Sequence, residues 1–286
     1  MMIEQAGIHT KDIAHHYDEL DVFYRELWGS HLHHGLWETG NESKEEAVVN
    51  MSLKVLRTLE DLSGKHLIDI GCGYGETTRL AAKVGAGKVT GITLSQKQAQ
   101  FAQKETTGST VDFILGDWTQ NSFSDSAFDG GFSIECFSHV NDKLKFFREV
   151  KRTLKTGSVF TLTAWLAGEN VSSRQKKYLL RPICEEGRLP SLLSKDEIIR
   201  CALNEGLSFH SFEDLSEKVM RTWVISISEV LKLIRTKRGL SYFLNSKSKE
   251  KLFALTVFRI WWAYRTQCFK YGLFVFYKRE QRTSIR

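Results

Sequence analysis

The 286-residue sequence predicts a doubly wound α/β protein, on three observations. Its middle alternates short apolar strand patterns with amphipathic helical ones. One apolar run, HLIDI, passes straight into glycines at 71, 73 and 75, as a strand does when it turns into a helix at the ligand edge of a sheet. A hydrophobic fraction of 42% and an aromatic fraction of 12% are enough to bury one large core.

In chain order, strands are expected at His66–Ile70, Val89–Leu94, Val111–Gly116, Phe128–Glu135 and Val159–Leu166, each a short apolar or β-branched run. The helical patterns Glu76–Val84, Gln96–Glu105 and Lys143–Leu154 separate them. After Ala167 the rhythm changes to a polar, helical stretch holding the chain's two prolines, Pro182 and Pro190. A helix over Ser194–Asn204 and strands at Leu207–Phe212 and Tyr271–Tyr277 then complete a seven-stranded mixed sheet. The organisation expected is an N-terminal helical cap (1–60), a ligand-binding core (61–166), a lid insertion (167–193), and the remaining core strands with helical lid elements (194–286).

The net charge of +6 and pI near 9.0 come from lysines and arginines interspersed with acids. No basic stripe interleaves with aromatics and no D/N-P-P-Y site is present, so no nucleic-acid partner is expected. Five scattered cysteines, none in a C-x-x-C pair, point to a reducing, cytoplasmic setting. The first residues carry charges where a secretion signal would be apolar. The apolar segment 252–277 is interrupted by Arg259, Arg265 and Lys270, so no membrane-spanning segment is expected.

The glycine turn indicates the ligand. Glycines there let the backbone approach a bound molecule. A pyrophosphate would call for G-x-G-x-x-G, whereas the spacing is G-x-G-x-G and Asp69 stands two residues before the first glycine, where it would repel phosphate. A ligand bringing a cation fits better. S-adenosyl-L-methionine carries an ammonium and a sulfonium and no phosphate, and D-I-G-C-G-Y-G resembles motif I of the class I methyltransferases, a Rossmann-like fold. That resemblance implies cofactor contacts from Asp69, Gly71, Cys72 and Gly73.

Three further stretches extend it. The phrase G-I-T-L-S-x-x-Q looks like the variant in the tocopherol methyltransferases and the cyclopropane fatty acid synthase group, which implies that Thr93, Leu94 and Gln98 hold the ribose in place of the usual acid. In ILGDW the resemblance places adenine against Gly116, Asp117 and Trp118. The run FDGGFSIECFSHV…LKTGS resembles the next motif, with Thr156 and Ser158 departing from LKPGG in a surface turn. It puts Glu135 nearest the methyl, and His139, one turn on, is the candidate general base, with a rising pH–rate limb expected near neutrality.

The N-terminal W-G-x-H-x-H-H-G closely resembles the tocopherol methyltransferase family, which implies that Tyr17 and His33 close over the methionine end. Adjacent histidines 31, 33 and 34, with no carboxylate or cysteine at ligand spacing, are not expected to hold a metal. The likeness covers nearly the whole chain. The reading is a methyltransferase acting on the oxygen, nitrogen or carbon of a small, largely apolar acceptor, with Tyr178, Trp223, Phe253, Trp261 and Trp262 as candidate pocket or core aromatics. The alternatives are a cyclopropane-synthase-like reaction on a lipid, with bicarbonate as base, and a cofactor-binding protein without turnover. Oligomeric state is not legible.

Overall fold

The structure, a computed structural model, describes residues 3–4, 7–19, 29–235 and 249–280, without the side chains of 233, 234 and 249–254. Tyr24 and Trp28, aromatics of the N-terminal cap, lie outside the described residues, as does the side chain of Phe253.

The elements run β1 (Ile3–Glu4), α1 (Thr10–Glu19), α2 (Lys44–Arg57), β2 (His66–Ile70), α3 (Glu76–Lys83), β3 (Lys88–Thr93), α4 (Gln96–Lys104), β4 (Val111–Leu115) and β5 (Phe128–Ile134). They continue α5 (Lys143–Thr153), β6 (Leu154–Ala167), α6 (Ser173–Gln175), a π turn (Lys176–Leu180), α7 (Arg181–Glu186) and β7 (Ser191–Leu192). The last are α8 (Lys195–Asn204), β8 (Ser208–Asp214), α9 (Ser216–Val219), α10 (Arg221–Ile234), α11 (Lys249–Arg265) and β9 (Phe269–Tyr277).

Seven strands form one mixed sheet in the order β4-β3-β2-β5-β6-β9-β8. The first five are parallel, and β9 runs antiparallel between β6 and β8. Strand order reverses between β2 and β5, which opens the crevice at their carboxyl ends where ligands of such sheets sit. Period-two alternation separates two cores. Leu67, Phe132 and Leu273 belong to one cluster with Met51 and Val55 of α2, while Ile68, Phe160 and Phe274 belong to another with Phe146 and Val150 of α5. Burial on both faces is why β2 reads as a near-continuous apolar run.

Local chemistry starts the helices. Ser43 and Glu46 form a capping box on α2, Ser194 and Glu197 another on α8, and Ser95 and Asp142 cap α4 and α5. The observed strands exceed expectation on the antiparallel side. β6 begins at Leu154, because Leu154 still pairs with Phe128 across an irregularity in β5, and β9 begins at Phe269, opposite Ala167. The antiparallel pair β1–β7 was not expected, since two-residue strands carry no periodicity. Among the described residues no helix is long and apolar enough to cross a membrane.

Candidate functional site

A cavity of about 930 Å³ opens at the crevice between β2 and β5, roofed by α1, the segment 30–34, α7, α10 and α11. Ligand pockets span roughly 300–1,000 Å³, so this one has room for a nucleoside-sized cofactor and a second molecule. Its wall includes every expected site residue: Tyr17, His33, Asp69, Gly71, Cys72, Gly73, Thr93, Leu94, Gln98, Gly116, Asp117, Trp118, Glu135 and His139.

At the sheet end the backbone dictates the glycines. Gly71 has φ +79°, and a Cβ there would stand 2.2 Å from Cys136 Cβ, so both conformation and space exclude a side chain. Gly73, at φ +56°, meets nothing within 4 Å and leaves the cavity floor bare. Asp69 is 3% exposed and accepts a 2.6 Å hydrogen bond from Thr78 Oγ1. Burial pushes its carboxyl up to about 7, with the Thr78 bond opposing. A buried carboxylate held so high on a cavity wall is complementary to an arriving cation, which suits an ammonium-bearing cofactor and would oppose a phosphate.

The next strand ends supply neutral groups. Thr93 Oγ1 donates to Gln98 Oε1 at 2.8 Å, which leaves the Gln98 amide nitrogen as a donor. Asp117 Oδ1 accepts from Thr119 N and Oγ1, both at 2.8 Å, so this carboxylate first of all fixes its own turn. Trp118 is buried, its indole donating to Phe146 O at 3.2 Å. Helix α1 is tied to the same region because Asp18 accepts from Ser95 Oγ and Lys97 N, while Lys97 Nζ donates to Asp18 O. This tether presents Tyr17 to the cavity.

His139 Nε2 lies 3.0 Å from Tyr17 Oη, and its Nδ1 is 3.4 Å from Arg188 O. Burial lowers its pKa to about 4, with the charge of His16 adding to the effect. The rising limb expected near neutral pH is therefore corrected: His139 is already neutral at pH 6, and its titration belongs in the acid range.

Glu135, at φ +61°, adopts a backbone conformation that costs a non-glycine residue and persists only where the surroundings hold it. Its Oε1 accepts from His34 N (2.7 Å), His34 Nδ1 (2.9 Å) and Tyr271 Oη (2.9 Å). Burial alone would raise this carboxyl, but His34 outweighs it and the pKa falls below the ordinary value. Trp223 Nε1 can only donate, and it takes His34 Nε2 as acceptor at 2.6 Å, which puts the imidazole proton on Nδ1. His34 thus joins β5, β9 and the lid helix α10. The run of histidines was the available signal, and the resemblance singles out His33 for the methionine end; that His34 is the one buried against Glu135 was not legible.

His33 is half-buried, with Nδ1 3.0 Å from His34 O and Nε2 3.2 Å from His31 Nδ1. Burial lowers its pKa and takes that of His31 to about 4, so both stand as neutral imidazoles. Of the lid aromatics, Trp223 lines the cavity. Tyr178 and Trp262 are 61% and 52% exposed and Trp261 packs at the edge of the core, so these three are not pocket residues. Trp165, absent from the expectations, does line it.

Comparison with known proteins agrees with this geometry. Residues 5–270 match the family described as mycolic acid cyclopropane synthetase. The chain is 30% identical to the chloroplastic tocopherol O-methyltransferase of Arabidopsis thaliana over 92% of its own length and 80% of the relative's. Among solved structures, the mycolic acid cyclopropane synthase CmaA1 complexed with SAH and CTAB superposes with a TM-score of 0.82 at 21% identity, covering 94% of this chain and 98% of that one. The [4+2]-cyclase SpnF superposes at 0.78 and 21% identity, over 95% and 97%, so the fold alone does not set the reaction. The match along nearly the whole chain does: it belongs to the mycolic acid cyclopropane synthetase family and is a class I S-adenosylmethionine-dependent methyltransferase.

Proposed function

We propose that the chain methylates a small, largely apolar acceptor, of quinol, phenol or related natural-product type, in the part of the cavity bounded by Tyr17, His139, Trp165, Trp223 and Ile260. The observation that carries this reading is a single cavity in which the motif residues of the sheet meet indole and aliphatic walls from the lid. The Arabidopsis relative, a tocopherol O-methyltransferase, supports the acceptor class.

In this proposal Asp69 faces the cationic end of the cofactor, directly or through its hydrogen-bond network, over the bare floor at Gly71, Cys72 and Gly73. Thr93, Leu94 and Gln98 serve the ribose, Gly116, Asp117 and Trp118 the adenine, and Tyr17 and His33 close the methionine end. The cofactor, when bound, supplies an already activated methyl, so the protein's task is to align the acceptor and exclude water. Neutral His139 takes the acceptor's proton at Nε2, either directly after Tyr17 swings aside or across the Tyr17 hydroxyl. A base with a pKa near 4 suffices when the proton leaves late, since a methylated oxygen is strongly acidic. Glu135, with Oε1 committed to His34 and Tyr271, acts by fixing the roof and the local field. A reducing compartment such as the cytoplasm is proposed as the setting, supported by five free cysteines.

The test is methyl-label transfer from S-adenosylmethionine to a panel of lipophilic phenols and quinols, with charged water-soluble analogues alongside. Product should form with the lipophilic set. Exclusive labelling of the charged set would overturn the acceptor class.

A further inference from the structure

The two long helices over the cavity have two working faces. Thr222 and Trp223 of α10 and Thr256 and Ile260 of α11 line the cavity. On an ordinary surface helix the opposite stripe is polar. Here Val224 and Leu231 on α10, and Leu255, Phe258 and Trp262 on α11, are all exposed. The spacings 224/231 and 255/258/262 put each set on one helical stripe, and the two helices pack against each other. Exposed large apolar side chains are common singly, but a concentration of them marks an interaction surface.

The charges around this face indicate its partner. Within 221–235 and 255–265 the exposed charged side chains are Arg221, Lys232, Arg235 and Arg265, all basic. The acid there, Glu229, is half-buried and paired with Lys232 at 2.7 Å. A second copy of the chain would bring the same cations against these, which opposes self-association. Apolar and aromatic side chains rimmed by lysine and arginine are what a helix lying in the headgroup region of an anionic membrane presents.

We propose that the outer face of α10 and α11 docks on an anionic lipid bilayer, so that the acceptor enters the cavity from the lipid. The docking surface stands on exposure and charge; the entry route rests on the apolar-acceptor reading above. Binding is peripheral, because no described helix can span. Each helix then has one face on the lipid and one on the cavity, so a lipophilic acceptor need not cross water.

The experiment is flotation of the full chain with phosphatidylcholine vesicles with and without one-third phosphatidylglycerol, at low and high salt. The protein should float with the anionic vesicles and lose most binding at high salt. The double substitution Leu255→Glu, Trp262→Glu should cut partitioning roughly tenfold or more, while calorimetric affinity for S-adenosylhomocysteine stays unchanged, showing the fold and cavity intact. No flotation at any composition, or equal flotation of the double variant, would overturn the proposal. A dimer that the double variant dissolves, without vesicle binding, would instead make this face a contact between copies. Flotation without transfer to any lipophilic acceptor would strike the acceptor reading and leave the docking face standing.

Discussion

Asp69→Asn should have effects of opposite sign on stability and on cofactor binding. Burial raises the carboxyl from 3.8 to about 7 in the folded protein. Between those values the unfolded chain has released a proton that the folded chain retains, so stability falls as pH rises through this window and levels off above about 7. At about 1.4 kcal/mol per pH unit the ionised form costs on the order of 4 kcal/mol, part of which relaxation and Thr78 recover. Asn keeps the shape and can still accept from Thr78. Urea unfolding at pH 8 should therefore show the ligand-free variant more stable by about 1–3 kcal/mol. S-adenosylhomocysteine, which keeps the ammonium, should bind roughly 30- to 1,000-fold more weakly, the cost of about 2–4 kcal/mol for a lost buried charge contact. In the native protein Kd should rise about tenfold per pH unit below 7 as Asp69 protonates, and this slope should vanish in the variant. A destabilised variant, a Kd within threefold of native, or a persisting slope would each refute the reasoning.

His139→Ala should lower turnover by roughly 10²- to 10⁴-fold with little change in cofactor affinity, and the native rate should climb only between about pH 3 and 5; a limb at pH 6–7 would place the base elsewhere. His34→Ala removes the side-chain donor to Glu135, which keeps the backbone N–H of residue 34 and the Tyr271 hydroxyl, and leaves Trp223 without its acceptor, so denaturant unfolding should register a loss of about 2–4 kcal/mol; a loss under about 1 kcal/mol would show the network idle. Hydrogen exchange in Thr10–Glu19 and from Gln175 to Pro190 should slow when S-adenosylhomocysteine binds, because both segments roof the cavity; equal rates with and without it would make them fixed structure.

The parallel half of the sheet was legible because strands buried on both faces announce themselves as unbroken apolar runs: β2 is the segment expected, and β3 to β5 differ by a residue at their ends. The antiparallel half was less so. The start of β6, Lys155 to Gly157, reads as a polar turn, and only the pairing of Leu154 with Phe128 of β5 carries the strand back through it. The motif residues converge on one cavity because each lies at a strand end, a position set by the fold and therefore readable from spacing. What the sequence hid was competition among side chains. Nothing in SIECF shows that Glu135 is claimed by His34 and Tyr271, more than a hundred residues away on either side. Helical spacing likewise could not tell which lid aromatics face inward: Trp223 does, and Trp262, on the neighbouring helix, faces out.

The most direct test of the account is a crystal structure with S-adenosylhomocysteine bound. The account predicts its amino group at Asp69, directly or through one water, its adenine beside Asp117 and Trp118, and its sulfur open to the space between His139 and Trp223. A ligand bound in another pocket, or a sulfur walled off from that space, would contradict it.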